Sequence, residues 1–206
     1  MAMRTHELHP SVIHMPLTLL PTAAIVDLAA ASAPRFGRSI DRTGRTLWWA
    51  AAGSALFAGL AGMAASQEVE TRSDHARDMM FLHGIGNFGL VLAAFGVASW
   101  RARNRASYTS ALTGLVASGA AIYTAYLGGE LVYAHGVGVK TLGGAAAEAP
   151  ALFSGQGVAR LGRDAVKGLG WLLSRGARAV TGRERVSRAA LGPIAEAGTG
   201  GAPAMH

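Results

Sequence analysis

Long apolar blocks separated by short polar connections organise the first two thirds of the chain. Four blocks approach the roughly 20 residues that a helix needs to cross a bilayer. They lie at about 12–33, 47–65, 79–100 and 108–127, and the last extends toward 133. Membrane β-strands would be about 10 residues long and would alternate in polarity. The pattern therefore predicts an all-α integral membrane protein built as a four-helix transmembrane bundle.

The blocks are rich in small residues rather than in leucine and phenylalanine. Small side chains four residues apart let membrane helices approach closely. This spacing occurs at Ala55 with Gly59 and Ala58 with Gly62 on the second block, and at Gly114 with Ser118 on the fourth. We interpret these pairs as packing positions between helices.

The connections differ in charge, which predicts the orientation in the membrane. The connection after the first block and the one after the third are rich in arginine, whereas the one between the second and third is mainly acidic. The arginines concerned are Arg35, Arg38, Arg42 and Arg45, then Arg101, Arg103 and Arg105. By the positive-inside rule, both arginine connections face the cytoplasm, so both termini lie outside it.

Residues 140–206 form a basic tail that we separate from the four-helix domain at 1–139. The tail has nine basic and four acidic residues, so it carries +5 of the net charge of +7. From about 157 to 181 its apolar and basic residues fall on different sides of a helix, which is typical of an interfacial helix on anionic lipid. The glycines of this stretch leave a partly disordered tail as the alternative, and the segment after Gly192 is expected to be flexible. A tail tethered to four spans favours lipid over nucleic acid as its partner.

Composition excludes several classes of chemistry. The chain has no cysteine, which excludes disulfides, thiolate metal sites and cysteine-ligated iron–sulfur clusters. It has no Walker A motif, no G-x-S-x-G and no HExxH. We therefore assign no catalytic residues, and if the function is redox we expect an electron carrier rather than an enzyme that converts a substrate.

The remaining polar residues of the blocks are the candidates for function, because ionisable groups in membrane segments are costly. Six of the seven histidines are predicted on one side of the membrane: His6, His9, His14, His75, His83 and His135. Asn87 shares a helix face with His83. Asp27 lies deeper, toward the cytoplasmic half, and we expect an interhelix hydrogen bond to Ser54, Thr124 or Tyr123.

Three chemistries and one structural alternative fit the histidine cluster. Haem b bound by His14 and His83 from two helices is the first, with His135 as the alternate ligand. The second is a zinc or copper site in which His9 and Glu130 are alternative ligands. The third is a proton relay beside a quinone or substrate pocket. The structural alternative is a set of interfacial histidines that cap helix ends and bind no cofactor.

Three motifs resemble a known family. The run from His9 to Pro16 reads HPSVIHMP, HGIGN covers His83 to Asn87, and GGELVYAHGVGV covers Gly128 to Val139. Together they resemble the domain-of-unknown-function 2231 family of predicted bacterial membrane proteins, over about residues 6–139. The resemblance implies a bacterial inner-membrane location and points to His9, His14, His83, Glu130 and His135, without saying what they bind.

Relatives in that family are sometimes joined to Rieske-type iron–sulfur domains, which implies electron transfer near a quinone or haem. This chain has no such domain. The function hypothesis is therefore a multi-pass inner-membrane protein with an outer-side His/Glu cluster, serving as a haem b electron-transfer subunit in a membrane redox complex. The alternative is a structural or accessory subunit of a larger membrane complex, without a cofactor of its own.

Overall fold

The computed structural model describes residues 3–33, 37–145 and 151–194, and within these ranges the chain forms six α-helices. The helices are α1 (Thr5–Val12), α2 (His14–Ser32), α3 (Gly37–Ala65), α4 (Asp74–Arg103), α5 (Tyr108–Tyr133) and α6 (Gly155–Val180). Short 3-10 helices cover Lys140–Leu142 and Arg188–Leu191. Within these ranges the extended backbone amounts to one isolated bridge, between Val69 and Ala145. The all-α prediction is confirmed, while the flexible end predicted after Gly192 falls mostly outside the described residues.

Four helical stretches are long and apolar enough to cross a membrane, as the hydrophobic blocks predicted. They are His6–Ser32, Arg38–Ala65, Asp74–Arg103 and Tyr108–Tyr133. The second helix begins about ten residues before its apolar block, at Gly37 rather than near residue 47. Hydropathy marks the part of a helix that suits lipid, whereas hydrogen bonding continues the helix through the polar residues that precede it.

The first span is one helical path with a single interruption at Ile13. The amide of Ile13 donates to the carbonyl of His9, and the amide of Leu17 donates to the carbonyl of Ile13, so the ladder continues across the break. The residue four positions after Val12 is Pro16, which has no N–H to give to the Val12 carbonyl. This missing donor accounts for the division into α1 and α2.

Helices α2 to α5 form a ring in which α2 and α4 each contact both α3 and α5. Because successive helices alternate in direction, α1, the α3–α4 connection and the end of α5 meet at one end, which we call the histidine end. The α2–α3 and α4–α5 connections meet at the other, which we call the arginine end. Alanines fill much of the core around Trp48, and a side chain at Gly114 would strike the Trp48 ring. Small residues thus bring the helices together.

Helix α6 packs mainly against α3 at the histidine end. The two backbones approach so closely at Gly168 that a β-carbon there would overlap the carbonyl of Met63. Buried Arg175 donates to Asp78, to the Arg77 carbonyl and to Glu184, which ties α6 to α4. The hydrogen bonds that Arg178 and Arg175 donate hold the pKa of Glu184 below its ordinary value. The helix predicted at about 157–181 is present at 155–180.

Candidate functional site

A cavity of about 600 Å³ lies inside the bundle at the histidine end. Helices α1 to α5 all contribute to its walls, and Trp171 and Leu172 of α6 complete them. Its walls are mainly apolar, and its polar lining includes His6, His9, His83, Asn87 and Thr124. Cavities of about 300–1,000 Å³ with apolar walls and a few polar groups are typical of small-molecule and cofactor sites.

Two histidines from different helices meet in this cavity. The rings of His9 on α1 and His83 on α4 have their centroids 6.0 Å apart and lie nearly perpendicular. The Nδ1 atom of His9 is 2.9 Å from the carbonyl of Ala58, and that of His83 is 2.7 Å from the carbonyl of Thr124. A carbonyl oxygen only accepts, so each Nδ1 carries the proton and each Nε2 keeps a lone pair.

Glycines make room for both imidazoles. A β-carbon at Gly62 would lie 2.9 Å from Nδ1 of His9, and one at Gly128 would lie 2.9 Å from Cε1 of His83. The pair Ala58 and Gly62, which the sequence marked as a packing position, therefore holds His9: one residue accepts its hydrogen bond and the other leaves space for its ring.

Asn87 extends the site, as its place one helical turn after His83 predicted. Its Nδ2 lies 3.2 Å from Nε2 of His83, and its Oδ1 lies 3.0 Å from the hydroxyl of Thr124. The hydroxyl can donate to Oδ1, which leaves the amide nitrogen to donate to the imidazole. Thr124, Asn87 and His83 thus form a chain of polar groups across α5 and α4.

The structure pairs the predicted ligands differently from the sequence interpretation. His14 borders the cavity but is exposed, and the ring packed against His83 is that of His9. His14 lies five positions after His9, which turns the two side chains about 140° apart around a helix. The expected pair of His14 with His83 is therefore replaced by His9 with His83.

The other two predicted ligands lie outside the cavity. His135 packs against His75, with ring centroids 5.2 Å apart. Glu130 is half-buried near the end of α5, where its carbonyl accepts the amides of Ala134 and His135. Among residues 3–33, 37–145 and 151–194, no three His, Asp or Glu side chains converge as a metal site would require. The metal-ion alternative with His9 and Glu130 thus gains no support there.

The comparisons with known proteins place the chain in a family. The model of DUF2231, described as a predicted membrane protein, matches residues 5–141. The chain belongs to this family. No curated protein and no solved structure matches the chain. The DUF2231 match contains every polar residue named at the cavity, whereas α6, which supplies Trp171 and Leu172, lies beyond it.

Next to the cavity, the DUF2231 region holds a buried pair that the sequence interpretation missed. Nδ1 of His6 lies 3.2 Å from Oε2 of Glu68, and both side chains are almost fully buried. The other oxygen, Oε1, has no hydrogen-bond partner among the described residues. Nε of Arg160 lies 4.0 Å from it. The available signal was that Glu68 lies only three positions after the end of the second apolar block.

At the arginine end, Asp27 has partners that the sequence analysis did not name. Its carboxylate accepts from Nε1 of Trp48 at 3.0 Å and from Nε and Nη2 of Arg101 at 2.8 and 3.0 Å. Arg101 also donates to Asp41 at 2.9 Å. A β-carbon at Gly44 would lie 2.5 Å from Oδ1 of Asp27, so this glycine gives the cluster its space.

The expected partners of Asp27 were wrong because a buried carboxylate requires a cation more than it requires a hydroxyl. Arg101 had been counted as a loop charge, yet its side chain is fully buried. The three residues proposed instead bond elsewhere: Ser54 donates to Ala51, Tyr123 to Leu191, and Thr124 to Ala121 and Asn87. The expectation that Asp27 joins helices through its side chain still agrees with the structure.

Proposed function

We propose that this membrane protein binds haem b in the cavity at the histidine end, with His9 and His83 as its two ligands, and serves electron transfer. The observation that carries the proposal is the way the two imidazoles are held. Each donates from Nδ1 to a backbone carbonyl, which leaves Nε2 of His9 for a ligand, while Nε2 of His83 becomes available when the Asn87 amide gives up its contact. Histidines that bind metals are commonly oriented by such a hydrogen bond from the other ring nitrogen.

The dimensions of the site also suit this ligand. Metal–imidazole bonds are about 2 Å long, so two imidazoles can share one metal when their ring centroids are no more than about 6 Å apart. The centroids of His9 and His83 are 6.0 Å apart. A cavity of about 600 Å³ with mainly apolar walls suits a flat apolar macrocycle. Bound there, haem would supply one-electron redox chemistry, while the mainly apolar walls would pack against the ring and the carbonyls of Ala58 and Thr124 would orient the ligands.

The location that we propose is the bacterial inner membrane, with both termini outside the cytoplasm. Exposed arginines at the arginine end support it, namely Arg38, Arg42, Arg103 and Arg105. Although Arg101 is neutralised by its buried acidic partners, these four remain to favour the cytoplasmic side. The cavity would then face the outer side, where a membrane redox partner would exchange electrons with it.

An absorption spectrum of the protein purified in detergent after haem-replete expression tests the proposal. We expect a Soret band that His9→Ala and His83→Ala each abolish or shift, since each removes one ligand. His14→Ala and His135→Ala are the matched controls and should retain the band. A wild-type protein without a Soret band contradicts haem binding, and a band that survives both His9→Ala and His83→Ala contradicts the ligand assignment.

A second candidate rests on the contact between Asn87 and Nε2 of His83. That contact occupies the lone pair which iron would need, and it suits a ligand that is hydrogen-bonded rather than coordinated. A quinone oxygen in the cavity would accept from the amide of Asn87, and the hydroxyl of the corresponding quinol would donate to Nε2 of His83. Chromatography of an organic extract should then show a quinone in the wild type that Asn87→Leu loses. If neither haem nor quinone is found, the accessory-subunit hypothesis replaces both.

A further inference from the structure

Two further histidines meet at the histidine end, outside the cavity. His75 is the second residue of α4, and His135 follows the last residue of α5 by two positions. Because α4 and α5 are antiparallel neighbours, the start of one lies beside the end of the other. The two imidazole rings have their centroids 5.2 Å apart, and their planes are tilted by 55°. Neither ring lines the cavity that contains His9 and His83.

The positions of both histidines are fixed by the backbone around them. The hydroxyl of Ser73 caps α4 by accepting the amide of Ala76, which holds the first turn that contains His75. Ala76, next to His75, and Val137, two residues after His135, belong to the same buried cluster. Packing against one core therefore sets the distance between the two rings.

The ring nitrogens of this pair are available to a ligand. Neither side chain has a hydrogen-bond or ion-pair partner among the described parts of the chain. Both residues are half-buried, but none of their ring nitrogens is both buried and unpartnered, so these nitrogens contact solvent. Since no hydrogen bond fixes either ring, each can rotate about its Cβ–Cγ bond and turn a nitrogen toward a shared ion.

The separation of the two rings suits a tetrahedral metal ion. Zinc lies about 2.0–2.1 Å from a histidine nitrogen, and therefore about 3.2 Å from the ring centroid. Two imidazoles at the tetrahedral angle then have their centroids about 5.2 Å apart, which is the distance between these rings. No third His, Asp or Glu side chain joins them among the described residues. Water would fill the remaining positions, so the ion would exchange with solution.

We propose that His75 and His135 together bind a zinc ion at the solvent-exposed surface of the histidine end. Neutral imidazole is a common zinc ligand, whereas magnesium prefers oxygen, so the pair distinguishes between these ions. A bound zinc ion would connect the start of α4 to the chain after α5 and stabilise this end, because only the folded protein holds the two rings together. The site shares no residue with the cavity, so it stands whether or not haem binds there.

Chemical labelling of the full chain in detergent, purified without a histidine tag, tests the proposal. Diethyl pyrocarbonate modifies accessible imidazole nitrogens, and mass spectrometry measures the modification of each histidine separately. We expect zinc to protect His75 and His135 over the same range of concentration, whereas magnesium protects neither. His14, which is exposed, is the internal reference and should remain reactive.

Two variants distinguish one shared ion from two independent ones. His75→Ala should abolish the protection of His135 by zinc, and His135→Ala should abolish that of His75. The affinity for zinc should fall by more than about tenfold in each, since losing even an outer-shell group commonly costs about 10–100-fold. The matched control His14→Ala removes an exposed histidine from the same end and should leave the protection unchanged.

Three results would each overturn the proposal. The first is equal labelling of the pair with and without zinc. The second is protection of one histidine that survives replacement of the other. The third is equal protection by magnesium and zinc.

Discussion

At the residue scale, the most costly groups of this protein are its buried charges, and each of the principal ones is joined to another helix. Arg101 of α4 lies between Asp27 of α2 and Asp41 of α3. A lone charge in such a place is destabilising, and removing one partner of a buried pair commonly costs about 3–5 kcal/mol. The cluster therefore joins three helices at the arginine end, opposite the candidate site.

Replacing Arg101 by methionine should destabilise the protein by about 3–5 kcal/mol, because Asp27 then remains buried without a cation, while Asp41 keeps only its pair with Arg45. The matched control is Arg77→Met, which breaks an exposed pair with Asp74 and should cost at most about 1 kcal/mol. Denaturant unfolding in detergent micelles measures both. Similar losses for the two variants would mean that the buried cluster has no special role in stability.

At the element scale, α6 depends on one close approach to α3. Gly168 leaves no space for a side chain against Met63, whereas Gly170, half a turn away, is open. The glycines that weaken α6 as an isolated helix are thus of two kinds. The packing requires Gly168, and also Gly157 against the carbonyl of Ala151, whereas a β-carbon at each of the others would meet no atom within 4 Å. This explains how a glycine-rich segment can still form a regular helix of 26 residues.

Gly168→Leu should release α6 from α3, whereas Gly170→Leu should leave it in place and raise its helix propensity by about 0.5–1 kcal/mol. Limited digestion with trypsin reports the difference, since cleavage at Arg160 and Lys167 requires local unfolding of α6. We expect much faster cleavage in the first variant only. Equal protection of both variants would show that the observed approach of the helices is not needed for docking.

At the scale of the whole molecule, the cavity is a property of all six helices. His9, His83 and Asn87 come from the DUF2231 region, while Trp171 and Leu172 come from the segment beyond residue 141. Leu172 is fully buried, and one of its methyl carbons would lie 3.1 Å from a β-carbon at Gly84. The segment outside the family match therefore supplies part of the wall of a site built within it.

Leu172→Ala should open the cavity and increase the rate at which diethyl pyrocarbonate modifies His83, as followed by mass spectrometry. Truncating a buried leucine also costs about 2–5 kcal/mol. The thermal midpoint of each variant must therefore be measured in parallel, and the labelling must be done at a temperature well below that midpoint. Leu173→Ala, at a residue that is 47% exposed, is the control and should leave the rate unchanged. His14, already exposed, serves as the internal reference in each sample.

Much of the architecture was accessible from sequence because it depends on local rules. The four spans follow from the lengths of the apolar blocks and the thickness of the bilayer, and α6 follows from its helical periodicity. The family followed from three short motifs, which the match over residues 5–141 confirms. Asp27, His83 and Asn87 were recognised because polar groups in apolar helices are costly whatever their partners.

The partners of these residues depended on tertiary structure. Whether His9 or His14 meets His83 is decided by the rotation of the first span against α4 and by the space that Gly62 and Gly128 leave. Likewise, Arg101 reaches Asp27 across 74 residues of sequence. Hydropathy reports how deep a residue lies, but not which way its side chain points around the helix axis. Sequence alone thus determined the spans and the costly residues inside the apolar blocks, whereas packing decided that Arg101 and Glu68 are also buried and which of these groups meet.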